Sequence, residues 1–187
     1  SELRHTTSHP AVSAQTSRGA ILRMLTPFFF NAPATTGIYT VYDTLSRHDA
    51  LPICVLVEWS ANPSTMVPSP TSYREVFRVG IPVYDHPIKQ ITFRPGARAV
   101  DADHGLLYVA HGDGSVLSVT VGGGMANDAR GKILRIDPLA RGAARYTVPP
   151  SNPFVGSTSM IPEVYSLGHR NPHHLAFAND GTLIVAE

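Results

Sequence analysis

The chain has 187 residues, of which 43% are hydrophobic, and its 15 Lys and Arg residues nearly balance 14 Asp and Glu residues. This composition is that of a globular protein with one sizeable core, and it excludes a disordered tail. A formal net charge of +1, without a basic stripe interleaved with aromatic residues, does not favour nucleic acid or an anionic membrane surface as partner. Cys54 is the only cysteine, which excludes an internal disulfide and a multi-cysteine metal site.

The sequence has no candidate membrane span and no signal layout. No apolar run reaches the roughly 20 residues of a spanning helix, and the longest candidate, 24–30, is interrupted by Pro27. The amino terminus lacks a basic region followed by an apolar one. Ser1 in place of Met, and Glu187 directly after a strand-like run, predict a piece of a longer protein.

Short apolar runs rich in Val, Ile, Tyr and Phe alternate with 16 prolines and 15 glycines along the chain. This pattern favours strands over long helices and predicts an all-β fold. In chain order, the predicted strands are 37–42, 54–59, 74–79, 89–93, 106–110, 115–121, 132–136, 163–167, 174–177 and 182–186.

An internal echo indicates a repeat. The segments 91–110 and 175–186 each contain a strand ending in Phe, a turn, and a Gly-led run ending in Val-Ala, with 84 positions between Phe93 and Phe177. That spacing suggests about two β-propeller blades at roughly 40 to 45 residues each. The chain would then hold about three to four four-stranded blades. This is an open arc with two unpaired edges, because a closed six-bladed ring needs more than roughly 200 residues.

The segment 165–177 is the most informative part of the chain. It sets a guanidinium, an amide and three imidazoles in a Gly/Pro-punctuated turn between two apolar runs, which is typical of a ligand-contacting loop on a β-scaffold. Its run L-G-H-R-N-P-x-x-L-A-F, with G-K-I-L-R-I-D-P at 131–138, resembles the soluble glucose/sorbosone dehydrogenases. These are six-bladed β-propellers that carry pyrroloquinoline quinone (PQQ), so the resemblance implies a partial, open propeller.

The turn 84–95 carries a second part of the resemblance. In the family, a histidine lies nine positions before the proline of an active-site turn, as His86 lies before Pro95, and Asp85 occupies an acidic position seen in some members. The resemblance implies that His86 is the catalytic base and that Asp85 and His86 contact the substrate. Family members usually follow the histidine with small residues, whereas Pro-Ile-Lys at 87–89 is bulkier, so an altered or partly blocked pocket is expected.

The chemistry implied by the resemblance needs these groups. Oxidising an aldose at the anomeric carbon to a lactone removes a proton and a hydride, so the site needs a base and a two-electron acceptor. Histidine suits the first task and no side chain suits the second, which PQQ would meet. By resemblance, Arg170 is a catalytic group that stabilises negative charge on the quinone. The implied PQQ contacts are Arg170, Asn171 and His173.

The resemblance also implies features outside the chain. Calcium would orient the quinone, with ligands expected beyond Glu187. The parent protein would be periplasmic or secreted, with a sugar and an electron acceptor as partners. The resemblance covers 54–187, whereas 1–53 matches poorly. Within that part, residues 43–53 resemble a translated sequencing-adapter read, and the alternative is an ordinary helical turn or loop between two strands.

Other interpretations stay open at this point. A propeller of the same lineage could serve as a non-catalytic binding or interaction module, which the bulk at 87–89 favours. A metal-dependent lactonase-type hydrolase would need inward-facing carboxylates that the sequence does not single out. His169, His173 and His174 could suggest zinc, but a further ligand would have to come from elsewhere. The Asp-Gly pair in 111–114 is interpreted as a structural turn.

Overall fold

The structure is a computed structural model that describes residues 21–24, 37–45, 53–62, 64–65, 67–81, 85–115 and 127–187. Ten strands within these ranges form three antiparallel sheets. The first sheet contains β1 (Ile21–Met24), β2 (Gly37–Leu45), β3 (Ile53–Ser60) and β4 (Arg74–Gly80). The second contains β5 (Ile88–Phe93), β6 (Leu107–His111), β7 (Lys132–Ile136) and β8 (Val164–Leu167). The third is a hairpin of β9 (His174–Phe177) and β10 (Leu183–Ala186).

Both four-stranded sheets are simple meanders in which consecutive strands are hydrogen-bonded neighbours. The register of β2 on β3 runs from Gly37 opposite Ser60 to Thr44 opposite Ile53, so the first residues of the adapter-like segment 43–53 continue a strand. No helix among the described residues has the length and apolar character needed to cross a membrane. The described residues form strands and no helix, so the prediction of an all-β fold is confirmed.

The sheet count differs from the predicted three to four four-stranded blades. The described residues contain two such sheets and a hairpin. The second sheet takes the whole stretch from Ile88 to Leu167 because long connections follow β6 and β7. The two similar segments are the hairpins β5–β6 and β9–β10, which belong to consecutive sheets. The spacing between them therefore corresponds to one sheet, and interpreting it as two repeats was wrong. The predicted strand 115–121 lies, apart from Ser115, outside the described residues.

The second sheet is covered on both faces, which explains why every residue of β6 and β7 is buried. Alternate side chains of β6 point in opposite directions, so Leu107 and Val109 face the first sheet while Tyr108 and Ala110 face the hairpin. The core towards the first sheet is the larger of the two; its members include Cys54, Leu56, Val76, Ile81, Ile88, Ile91, Phe93, Leu134, Ile136 and Val164. The three sheets therefore pack face to face in chain order.

The hairpin is joined to the second sheet by packing and by hydrogen bonds. The Tyr108 ring makes edge contacts with Tyr165 and Phe177, with centroids 5.2 and 5.1 Å away. The Gln90 side chain donates to the Leu175 carbonyl at 3.2 Å and accepts from the Leu175 N–H at 2.6 Å. These contacts fix β9 against β5, the first strand of the neighbouring sheet.

Arg135 is a buried cation within this second interface. Its guanidinium lies 4.6 Å from the Tyr165 ring centroid, donates to Asn152 Oδ1 at 2.7 Å and donates to Ser151 Oγ at 2.9 Å. Asn152 in turn donates to the Arg135 carbonyl at 2.8 Å. The planar guanidinium can stack and donate sideways at once, which an ammonium cannot do.

Replacing Arg135 by lysine should therefore destabilise the protein by about 2–4 kcal/mol, because stacking and at least one buried hydrogen bond are lost. Urea unfolding followed by circular dichroism measures this change. Arg141→Lys is the matched control, since Arg141 is exposed and, among the described residues, its guanidinium pairs with Asp137 on the surface; its effect on stability should be much smaller. Equal effects of the two variants would contradict the packing role of Arg135.

His111, the last residue of β6, is fully buried. Its Nδ1 donates to the Gly112 carbonyl at 2.6 Å, and Nε2 has no hydrogen-bond partner among the described residues. Burial lowers the pKa of His111 to about 4, with Arg130 and Lys132 acting in the same direction and Asp128 opposing them. The folded protein therefore holds this ring neutral.

The low pKa of His111 predicts a loss of stability in acid. Between pH 6.5 and about 4 the unfolded chain binds a proton that the folded chain does not, so stability is full above pH 6.5 and falls as pH drops. The depression corresponds to roughly 3 kcal/mol. His111→Gln should flatten the pH dependence of the unfolding free energy by about this amount, whereas the turn variant His104→Gln should keep it. A profile unchanged in His111→Gln would contradict the assignment.

Candidate functional site

The order of strands collects several loops at one edge of the second sheet. In an antiparallel meander, the start of β5, the end of β6, the start of β7 and the end of β8 lie on the same side. The turn before β5 carries His86, the connection after β6 carries Asp113, and the connection after β8 carries Arg170. Residues distant in sequence therefore meet there.

His86 has an uncommon backbone conformation, with φ of +46°. Histidine adopts this left-handed region more often than most residues do, although it costs energy, and such residues concentrate at functional sites. The Asp85 carboxylate supports the turn by accepting the His86 N–H at 2.9 Å. Ile88, which follows two positions later, is buried in the first core, so its bulk lies away from the turn surface.

Gly112 lets β6 approach this turn closely. A Cβ at that position would lie 2.6 Å from the His86 carbonyl oxygen, which no side chain allows. The Gly112 N–H donates to the Pro87 carbonyl at 3.1 Å, and the Gly114 N–H donates to the His86 carbonyl at 3.3 Å. The turn and the strand end are thus locked together through their main chains.

The His86 ring is held by Asp113. The residue is 7% exposed, and its Nδ1 lies 2.6 Å from Asp113 Oδ1, which also accepts the Ser115 N–H at 2.9 Å. A carboxylate only accepts, so Nδ1 carries the hydrogen, and in the neutral ring Nε2 keeps its lone pair. The arrangement is that of a general base oriented by an acid.

Asp85 supplies a second carboxylate near the ring. Its Oδ2 accepts the Ser115 hydroxyl hydrogen and lies 3.7 Å from His86 Nε2, beyond hydrogen-bond distance. The hydrogen bond from Ser115, followed by the His86 N–H, lowers the pKa of Asp85 below its usual value. Asp85 therefore stays ionised beside the free ring nitrogen.

The Arg170 loop is attached to the same group. The Asp113 N–H donates to the Arg170 carbonyl at 2.8 Å, and the His169 N–H donates to the Gly131 carbonyl at 3.1 Å. The Arg170 side chain is exposed, and among the described residues no carboxylate pairs with its guanidinium. The structure thus brings His86 and Arg170 to one edge, joined through a single residue.

Asn171 and His173 lie farther along this loop. The Asn171 amide nitrogen is 2.9 Å from His173 Nε2, while its oxygen is buried and has no partner among the described residues. His173 and His174 are both exposed, with ring centroids 6.4 Å apart. In the described part of the chain, no three His, Cys, Asp or Glu side chains converge as a metal group would.

A cavity lies elsewhere in the molecule, between β4 and β7. Its volume is about 420 Å³, and Phe77, Tyr146 and Glu163 contribute to its lining. Neither His86 nor Arg170 borders it. We therefore assign the candidate site from the hydrogen-bonded groups.

Sequence reasoning missed three residues of this network: Asp113, Ser115 and Glu187. Gly114 and Ser115 lie in a turn after β6, as the Asp-Gly pair predicted, but Asp113 also binds His86, which a purely structural interpretation omitted. The sequence does carry a signal for this contact. When two strands pair as a hairpin, the residues before the first strand and after the second lie close together, so a carboxylate just after the second strand is expected near a histidine just before the first. The roles assigned to His86, Asp85, Arg170, Asn171 and His173 stay predictions.

Comparison with known proteins agrees with the resemblance. The chain is 31% identical over 147 residues to the HIPL1 protein and 30% identical over 143 residues to the HIPL2 protein, both of Arabidopsis thaliana. These alignments cover 66% and 67% of this chain but 19% of each relative, so the chain spans about a fifth of the length of the curated relatives it matches.

The family match is broader than the resemblance predicted for 54–187. The family model described as Glucose / Sorbosone dehydrogenase matches residues 6–187. The division of the chain at residue 53 stays a prediction. Because the match covers nearly the whole sequence, the chain belongs to the glucose/sorbosone dehydrogenase family.

Proposed function

We propose that this chain is part of a PQQ-dependent dehydrogenase that oxidises an aldose or related sugar at the anomeric carbon to a lactone, and that its three sheets are successive blades of a β-propeller. The observation that carries the proposal is the placement of Asp113, which binds the His86 ring and the Arg170 carbonyl. A sugar and an electron acceptor are the proposed partners, in the periplasm or outside the cell.

The donor groups fit a carboxylated quinone. Among the described residues, the exposed guanidinium of Arg170 has no carboxylate partner and the buried oxygen of the neighbouring Asn171 has no donor. The guanidinium suits an anionic group of a ligand, and the amide oxygen suits a hydrogen-bond donor on it. We propose that Arg170, Asn171 and His173 would hold PQQ. Among the described residues no three His, Cys, Asp or Glu side chains converge, and we assign no calcium ligand.

When bound, PQQ supplies the two-electron acceptor that no side chain offers. His86 removes the hydroxyl proton of the sugar through Nε2, because Asp113 keeps the hydrogen on Nδ1. The ring then becomes an imidazolium with Asp113 2.6 Å from Nδ1 and Asp85 3.7 Å from Nε2. Two carboxylates stabilise this charge, and the shared network with Ser115 keeps both in place.

Variants of His86 and Arg170 in the full-length protein test the proposal. His86→Ala should lower turnover by roughly 10²- to 10⁴-fold with little change in PQQ affinity, because a base is lost but no cofactor contact. Arg170→Ala should lower both the turnover and the affinity for PQQ. Titration of PQQ with excess calcium, followed by single-turnover dye reduction by an aldose, separates the two effects.

The results discriminate between the functions considered. Unchanged sugar oxidation in His86→Ala would remove the assignment of the base. Failure of the wild-type protein to bind PQQ would instead favour a non-catalytic interaction module.

A change at Asp113 tests the orientation of the base. Asp113→Asn keeps the shape but can present an N–H to the ring, which forces the other tautomer, so turnover should fall by at least roughly 100-fold while PQQ affinity stays within a few fold. Asp101→Asn is the control, since Asp101 binds Arg98 in a surface turn. Equal turnover in the two variants would show that Asp113 does not orient His86.

A further inference from the structure

Glu187 ties β10 to the Arg170 loop through both of its carboxylate oxygens. Oε1 lies 2.5 Å from His169 Nδ1, and Oε2 accepts the Arg170 N–H at 3.2 Å. One side chain thus binds two consecutive residues of the loop that follows β8. The loop itself is attached to the second sheet, so this carboxylate connects the second and third sheets.

The hydrogen positions around His169 follow from the carboxylate. Glu187 only accepts, so Nδ1 of His169 carries the hydrogen, and Nε2 forms a hydrogen bond with the Ser166 hydroxyl at 2.9 Å. The His169 ring is therefore fixed at both nitrogens, between the end of β8 and the end of β10. Its main-chain N–H is held as well, by the Gly131 carbonyl.

The loop needs such anchors. Gly168 has a φ of +92°, and no atom lies within 4 Å of the position a Cβ would take, so no side chain packs at this point before His169. Arg170 is exposed, so its location depends on its main-chain bonds: its N–H to Glu187 and its carbonyl to Asp113. A shift of this peptide would move the guanidinium and the residue that holds His86.

We propose that Glu187, acting with His169, is a positioning residue that sets the location of Arg170 for the cofactor and of Asp113 for His86. This inference rests on the proposed function for its consequence in PQQ binding. It assigns Glu187 no contact with the reacting atoms. It also predicts two separable effects. The effect on PQQ binding acts through the Arg170 side chain, and the effect on His86 acts through the Arg170 carbonyl and its bond to Asp113.

A double-mutant cycle in the full-length protein tests this, with PQQ affinity measured by fluorescence quenching at saturating calcium. Glu187→Ala should weaken PQQ binding by roughly tenfold, and Glu187→Gln, which keeps one acceptor oxygen, by less. In the Arg170→Ala background, Glu187→Ala should change affinity by less than about twofold, because it acts through a side chain already removed. Turnover should still fall in that background, because the Arg170 carbonyl and its bond to Asp113 remain.

Amide hydrogen exchange supplies a readout that does not need the cofactor. In the unloaded protein, Glu187→Ala should speed exchange of the Arg170 and Asp113 amides by roughly tenfold, since one loses its acceptor and the other depends on the same peptide. His174→Gln, an exposed histidine outside the network, is the control and should change neither exchange nor affinity.

The outcomes separate this inference from the proposed function. If the effects of Glu187→Ala and Arg170→Ala on affinity simply add, the carboxylate acts elsewhere and the inference fails. If wild-type protein does not bind PQQ, the proposed function fails, and amide exchange alone decides whether Glu187 positions the loop. Unchanged exchange at Arg170 and Asp113 overturns it in either case.

Discussion

The candidate site depends on one residue, Asp113, whose carboxylate and amide bind in different directions. The carboxylate binds His86 Nδ1 and accepts the Ser115 N–H, while the main-chain N–H donates to the Arg170 carbonyl. Neither the His86 turn nor the Arg170 loop, the two segments singled out from the sequence, is fixed by its own contacts alone. A buried charge-assisted hydrogen bond of this kind is stronger than a neutral one, and leaving it unmade inside the protein is costly.

The sheet supplies the geometry that Asp113 exploits. Because β6 and β7 are buried on both faces, most of their side chains are apolar core residues, and the polar groups of the candidate site lie on the loops at their ends. Antiparallel order then brings every second loop to one edge. Gly112 adds the close approach, since a larger residue would push β6 away from the His86 carbonyl.

The sequence predicted features that depend on local residue patterns. It did not predict features that depend on how segments distant in sequence are oriented towards one another. Strand positions and the Gly/Pro-punctuated loop within 165–177 follow from apolar periodicity and turn residues. The number of sheets does not, because the long connections after β6 and β7 spread the four strands of one sheet from Ile88 to Leu167. Nor do the positive φ of His86 or the orientation of Asp113, which arise only when the turn before β5 meets the end of β6. Asp-Gly after a strand predicts a turn equally well with or without a bound imidazole.

The two groups proposed to act in oxidation are held in opposite ways. His86 is buried and fixed through its side chain, so its orientation is established before any ligand arrives, as electrostatic preorganisation requires. Arg170 is exposed and fixed through its main chain, which leaves the guanidinium free to meet a ligand. Burying the Arg170 guanidinium as well would require a further counter-charge for it, whereas exposing His86 as well would lose the orientation of the base. Sharing Asp113 resolves this conflict, because the same residue orients a buried ring and anchors a loop whose charge stays in water.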